Sequence, residues 1–150
     1  MKRLVSVFCM IGMLLSTFPS INANAVDFDE PCTEIIDEPS AGLVYLYSLS
    51  ASNYNNSLCV NAIIRAYSDM KEIGFKNVTV QYSYDGSNWY DEWNAGDFLT
   101  YNSNRYDLAN YIIALDRNGC YYRISCKCYA QKSFLNTQSA TVTSNSVWIG

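Results

Sequence analysis

Two segments of the chain alternate apolar and polar residues, and this alternation restricts the fold more than any other feature. In 58–66 every even position is apolar, and the odd positions include Asn61 and Arg65. Segment 120–130 has the same pattern. Successive side chains of a strand point to opposite faces of the sheet, so each segment has one apolar and one polar face. The alternation predicts an antiparallel sheet with one buried face.

Turn sequences between these segments support a β fold. Asp85-Gly86 and Asn118-Gly119 supply the positive φ angles that tight hairpins require. Segment 107–115 could also be a helix, but the Asn-Gly pair that follows it favours a strand. About seven short antiparallel strands separated by turns predict an all-β protein, a single β-sandwich. We expect these strands near residues 43–51, 58–68, 77–84, 88–93, 109–116, 119–131 and 139–148.

The first 25 residues have the three parts of a secretory signal peptide. Residues 2–3 are basic, an apolar run follows to residue 15, and Ala23-Asn24-Ala25 is an A-x-A cleavage site. The run is shorter than the about 20 residues that a membrane-spanning helix needs. A buried N-terminal helix would not account for all three parts together. We therefore expect a signal helix cleaved between Ala25 and Val26, a secreted, extracellular protein, and no stable membrane anchor after cleavage.

Acidic residues are concentrated just after the predicted cleavage site. Without residues 1–25 the chain has 8 basic and 14 acidic residues, a net charge of −6. Six of the acids and two prolines lie in 26–42, which we interpret as an acidic leader before a domain at 43–150. The rest of the chain has eight acids and eight bases. Because no basic stripe could displace counterions from phosphates, we expect no nucleic-acid partner.

The predicted mature chain has five cysteines, Cys32, Cys59, Cys120, Cys126 and Cys128. Export permits disulfide bonds, but an odd number leaves at least one thiol outside an intramolecular bridge. Cysteines that pack as small apolar residues are the alternative to one bridge, and the disulfide connectivity stays open. Structural zinc sites usually need two spaced cysteine pairs or histidines. We therefore expect no metal and no other cofactor.

Two short motifs resemble parts of known β domains. Residues 80–89, Val-Gln-Tyr-Ser-Tyr-Asp-Gly-Ser-Asn-Trp, resemble the C-strand hairpin of fibronectin type III and immunoglobulin-like modules, and 119–124 resembles their penultimate strand. The layout of 43–150 after a signal peptide is similar to that of small uncharacterised secreted proteins of Clostridia-type Gram-positive bacteria. This resemblance implies a β-sandwich and an extracellular location, without an activity. The sequence departs from the immunoglobulin pattern, since no tryptophan lies in 77–84.

The chain has no histidine, which removes the usual general base and the Ser-His-Asp and Cys-His arrangements. Asp91 and Glu92 lie between tryptophans, as acids do in some sugar-cleaving sites. Glycoside hydrolysis needs two carboxylates on opposite sides of one bond, whereas neighbours in a strand point to opposite faces. An exposed edge strand protected by charge is the simpler interpretation. We therefore expect the protein not to be an enzyme.

Aromatic residues are the best candidates for a binding surface. All 13 tyrosines follow residue 25. Trp89, Tyr90 and Trp93, with nearby Tyr101 and Tyr106, could form a platform for sugar rings or a protein partner. Ordinary packing across strands is the alternative, because tyrosine favours strands. We expect Trp89 to be buried and Trp93 to be exposed. Asp91 lies between them on the same strand face, and a wholly buried face would leave its charge unpaired.

These features favour a secreted or envelope-associated, non-enzymatic binding module whose partner is an extracellular glycan or protein. The alternative from another class is a secreted effector, such as an inhibitor or bacteriocin-like toxin that presents one loop to its target. A hydrolase is a distant third.

Overall fold

The computed structural model describes residues 32–35 and 42–150, and all the regular structure in these residues is β-strand. The strands are β1 (Cys32–Ile35), β2 (Val44–Tyr54), β3 (Ser57–Ser83), β4 (Tyr90–Ile113), β5 (Cys120–Ser133), β6 (Asn136–Thr143) and β7 (Val147–Ile149). Each pairing between them is antiparallel. The predicted all-β class is confirmed. The predicted signal peptide and its cleavage site lie outside the described residues, and β1 is the described part of the predicted acidic leader.

The long β3–β4 hairpin organises a single sheet. β4 pairs with β3 from Leu58↔Ile113 to Tyr82↔Tyr90. The other edge of β3 is divided, because β2 pairs with its first part and β5 with its last part. β1 extends the sheet beyond β2, and β6 and β7 both pair with β5. The sheet curls like half of a barrel.

A large bulge in β3 accompanies this curl. Between the pairs Arg65↔Arg105 and Met70↔Ser103, residues 66–69 of β3 face a single residue of β4. Extra residues on one strand bend it and increase its twist. The two parts of β3 therefore continue in different directions while both remain paired with β4.

The alternating segments supply the core, as the sequence predicts. The even residues of 58–66 and of 120–130 are all buried. Leu49 of β2 and Val60 of β3 line one apolar cavity together with Phe75 and Ile124, which lie beyond the bulge. The two parts of the curled sheet thus share one hydrophobic core.

Cysteines contribute to this core as small apolar residues. Cys59, Cys120, Cys126 and Cys128 are all buried. Cys59 and Cys120 are free thiols, and burial raises the pKa of the Cys120 thiol. The structure supports the packing interpretation for Cys120, which belongs to the core, whereas the Cys59 thiol donates to Asn110 Oδ1 at 3.9 Å.

The strand boundaries differ from the predicted ones. The predicted strand 58–68 and all but the last residue of 77–84 are parts of β3, and most of 88–93 and of 109–116 are parts of β4. The polar stretches between them are not turns, since Glu72 pairs with Tyr101 and Phe75 with Phe98. Bulges absorb the irregular pattern while the pairing continues. Seven strands are described, but they are not the seven predicted segments.

The predicted strand 139–148 is divided between β6 and β7 at Ser144. The backbone N–H of Ser144 donates to the carbonyl of Ile124 at 2.9 Å, and its hydroxyl accepts the N–H of Ile124, also at 2.9 Å. The Ser144 hydroxyl takes the place of a backbone carbonyl as the acceptor for the Ile124 N–H. The chain can therefore leave the edge of β5 after β6 and pair with it again as β7.

Candidate functional site

A β-bulge gives Glu92 an environment that differs from that of its neighbours. Asp91 pairs with Gln81 and Trp93 with Val80, so Glu92 has no partner in the register of β3 and β4. The Glu92 side chain is only 7% exposed, whereas Asp91 is exposed. Bulges re-aim side chains and are over-represented beside active sites. The expected separation of these two carboxylates holds, and the bulge leaves one of them buried.

The buried carboxylate is poorly satisfied. Neither of its oxygens accepts a hydrogen bond of good geometry. Its polar neighbours are Arg117, whose Nε lies 3.5 Å from Glu92 Oε1, and the Tyr122 hydroxyl. The Tyr122 hydroxyl donates to the Arg117 carbonyl at 3.3 Å. Burial, and then a hydrogen-bonding contact with the Glu92 carboxylate, raise the pKa of Tyr122 well above its ordinary value. A carboxylate can accept about four hydrogen bonds, so Glu92 keeps unused capacity beneath the surface.

Arg117 links this carboxylate to a group of three tyrosines. The ring of Tyr82 lies 5.7 Å from that of Tyr84 and 5.5 Å from that of Tyr90. The Arg117 guanidinium lies 4.6 Å from the Tyr82 ring centroid, and its hydrogen bond to Tyr84 is the main reason that its pKa is raised. We call Tyr82, Tyr84 and Tyr90 the tyrosine cluster. Tyr84 is 61% and Tyr90 54% exposed, so two rings of the cluster are open to a ligand.

A tight turn sets the positions of Tyr84 and Tyr90. The Asp85 carboxylate accepts the backbone N–H groups of Ser87 and Asn88, each at 2.8 Å. Gly86 has a φ of 72°, the left-handed conformation that the Asp-Gly pair predicts. The hydrogen bonds from Asn88 and Ser87 hold the pKa of the Asp85 carboxyl well below its ordinary value.

Asp85→Asn tests this turn through its pH dependence. The amide keeps the shape and one acceptor oxygen but loses the charge, so at pH 7 the variant should have a lower urea midpoint of unfolding than the wild type. Because the folded-state pKa is depressed, the stabilisation by the charge is present above the unfolded value of about 3.9 and is lost as the pH falls towards the folded value. The two midpoints should therefore converge below about pH 4. A constant difference between pH 7 and pH 2.5 contradicts the assignment.

Comparisons with protein-family models, with curated proteins and with solved structures give no match. What this site can bind therefore follows from its own side chains.

The structure distributes the predicted site residues along β4. Tyr90 lies in the tyrosine cluster, and Trp93 lies three residues further along and is partly exposed. Tyr101 is exposed and pairs with Glu72. The eleven residue-to-residue steps from Tyr90 to Tyr101 correspond to about 36 Å of extended strand. Tyr90 therefore shares a surface with Tyr82 of β3 and with Tyr84 of the following turn. It does not share one with Tyr101.

Tyr106 has a different environment from the other predicted residues. It is partly buried, and its ring packs edge-on against Phe75 at 6.0 Å. It also lines an open groove of about 410 Å³ at the bend of β4, with Leu99, Thr100, Ser103, Arg105 and Asp107. This groove lacks a buried, unsatisfied polar group such as Glu92, which makes it a weaker candidate than the tyrosine cluster.

Trp89 takes part in a polar row on the other face of the sheet. Arg123 lies 4.0 Å from the Trp89 ring and donates from Nε to Gln81 Oε1 at 2.8 Å. Gln81 in turn donates to Asp91 at 2.7 Å. Trp89 is partly buried under Arg123, and Trp93 is 39% exposed. As expected, Trp89 is more buried than Trp93. The bulge at Glu92 places the two side chains on different faces of the sheet.

Sequence reasoning did not include Tyr82, Tyr84 or Arg117 in the site. The two tyrosines flank a residue that precedes the predicted turn, a position that could have suggested them. Arg117 is remote in sequence and reaches the site only through the connection between β4 and β5. Within 32–35 and 42–150 the structure contains neither a group of three potential metal ligands nor a helix long and apolar enough to cross a membrane.

Proposed function

We propose that this protein is an extracellular, non-enzymatic binding module whose tyrosine cluster binds a carbohydrate. The observation that carries the proposal is a group of tyrosines, two of them exposed, that Arg117 connects to a buried carboxylate without a well-formed hydrogen bond. Binding sites combine apolar surface with a few convergent polar groups that fix the orientation of the ligand. A sugar offers an apolar C–H face to aromatic rings and hydroxyl donors to a carboxylate.

The polar groups of the site suit a neutral ligand with many hydroxyls. Arg117 has donors on its exposed side, and Glu92 has only acceptors. Sugar hydroxyls both donate and accept, so one ring could satisfy the two groups at once. The absence of histidine from the whole chain favours binding over acid–base catalysis.

Secretion and an immunoglobulin-like or fibronectin type III-like sandwich belong to the same proposal. The signal-like residues 1–25 support export. The divided edge of β3, with β2 on one part and β5 on the other, supports two facing layers. Such sandwiches present loops at their ends, and the turn after Tyr84 is one of them.

The double variant Tyr84→Ala/Tyr90→Ala tests the proposal. Purified peptidoglycan and insoluble polysaccharides should sediment the wild type, and the variant should bind at least about tenfold more weakly, because aromatic anchors dominate binding energies. The matched control is Tyr45→Ala/Tyr67→Ala, which removes another exposed pair whose rings lie 5.1 Å apart. Equal losses in both variants, or no binding of the wild type to any polysaccharide, would contradict carbohydrate binding at this cluster.

A further inference from the structure

The turn between β5 and β6 exposes two large apolar side chains. Ser133 pairs with Asn136, so Phe134 and Leu135 form a two-residue turn. Phe134 is 89% and Leu135 91% exposed, more than any other large hydrophobic residue that the structure describes. We call this pair the apolar tip. It is separate from the tyrosine cluster, and no part of the proposed carbohydrate site depends on it.

Local folding does not account for the residues of the apolar tip. Two-residue hairpin turns favour asparagine, aspartate and glycine, which supply positive φ angles. Phe134 and Leu135 both have negative φ, and their side chains gain almost no burial in the folded chain. Contact with something outside the chain is the remaining physical reason for two large apolar side chains at this position.

The charge of this region favours an anionic partner. The two strands that carry the tip, β5 and β6, contain three basic residues and no acid. One of these, Lys132, lies two residues before the tip and is exposed. Lys71 of β3, also exposed, directly precedes the last pair between β3 and β5, Glu72↔Gln131. Two ammonium groups therefore lie near the base of the apolar tip. Of the acids beside them in β3, Glu72 is paired with Lys76 and Asp69 is exposed, so these five residues together carry one net positive charge.

We propose that the apolar tip inserts into the surface of an anionic lipid bilayer. A convex tip of two side chains needs a pocket of matching shape in a protein, whereas the boundary between headgroups and acyl chains accommodates it without one. Apolar side chains in that boundary and basic residues at headgroup level are the two components of peripheral membrane binding. The exposed polar residues below the tip, Ser133, Asn136 and Thr137, suit the headgroup layer.

Sedimentation of the purified protein with vesicles of equal parts phosphatidylcholine and phosphatidylglycerol tests this inference. The wild type should partition onto the vesicles, and Phe134→Ser/Leu135→Asn should lower the partition coefficient at least about tenfold. Lys132→Gln should lower it less, and added salt should weaken binding of the wild type. The control is Ile112→Ser, an exposed apolar residue of β4, which should change partition by less than about twofold.

Two further measurements separate the alternatives. The tip variant should keep its urea midpoint of unfolding and its binding to polysaccharide, so its effect on vesicles reports the tip alone. Equal partition of wild type and tip variant overturns the inference, and so does equal binding of the wild type to pure phosphatidylcholine. A dimer seen by sedimentation velocity, lost in the tip variant and unaccompanied by vesicle binding, would assign the tip to a second copy of the chain.

Discussion

Gly74→Ala is expected to lower the free energy of unfolding by about 3 kcal/mol, since backbone strain and overpacking act together at this position. Gly74 has a φ of 151°, which residues with a side chain rarely adopt. A Cβ there would lie 2.1 Å from the carbonyl oxygen of Phe98 and 3.0 Å from the Cα of Leu99. Both of these are backbone atoms, which cannot move aside as the end of a side chain can.

The surrounding pairs prevent the backbone from relaxing. Gly74 pairs with Leu99 of β4 on one edge and with Tyr129 of β5 on the other. A shift of β3 away from β4 would therefore disturb its hydrogen bonds with β5. The strain should appear as lost stability rather than as a local rearrangement.

Gly96→Ala is the matched control. Gly96 also has a positive φ, 85°, but no atom lies within 4 Å of the position of its added Cβ. It should therefore show the conformational cost alone, about 1 kcal/mol. Urea unfolding followed by circular dichroism measures both variants. If Gly74→Ala is no worse than Gly96→Ala, the close approach of β3 and β4 at Phe98 is wrong.

The sequence predicts the core of this fold much better than its strand boundaries. Side-chain burial in 58–66 and 120–130 follows directly from alternation, because one face of each strand must be apolar. The continuous β3 and β4 were missed because the stretch from Ser68 to Lys71 and the middle of β4 are polar and irregular. Bulges allow such stretches to stay paired, and a bulge is set by the partner strand rather than by local sequence.

The candidate site shows the same limit. Exposed aromatic residues near Tyr90 and Trp93 could be predicted from composition and the nearby turn. The separation of Asp91 from Glu92 also follows from strand geometry. The burial of Glu92 and its contact with Arg117 do not, because they depend on the bulge and on a connection that is distant in sequence.

Glu92→Met is expected to stabilise the fold by about 1–2 kcal/mol while it weakens polysaccharide binding at least about tenfold. The side chain of Glu92 is almost completely buried, and its carboxylate accepts no well-formed hydrogen bond. Replacing a poorly paired buried charge by an apolar residue of similar size removes a desolvation penalty. Arg117 loses its partner in the variant, but its side chain is 46% exposed and can be hydrated.

The control carboxylate is Glu72, whose Oε2 accepts from Lys76 Nζ at 3.4 Å. Its side chain is 23% exposed, so Glu72→Met should change stability by less than about 1 kcal/mol and leave binding unchanged. Urea unfolding and sedimentation with peptidoglycan, applied to both variants, separate two roles for Glu92. If the role of the Glu92 carboxylate is to bind a ligand, its burial destabilises the unliganded fold. Its removal should then raise the free energy of unfolding and weaken polysaccharide binding. Loss of stability in Glu92→Met would instead show that the carboxylate holds Arg117 and the tyrosine cluster in place, and the cluster would then need another source of hydrogen bonds to bind a sugar.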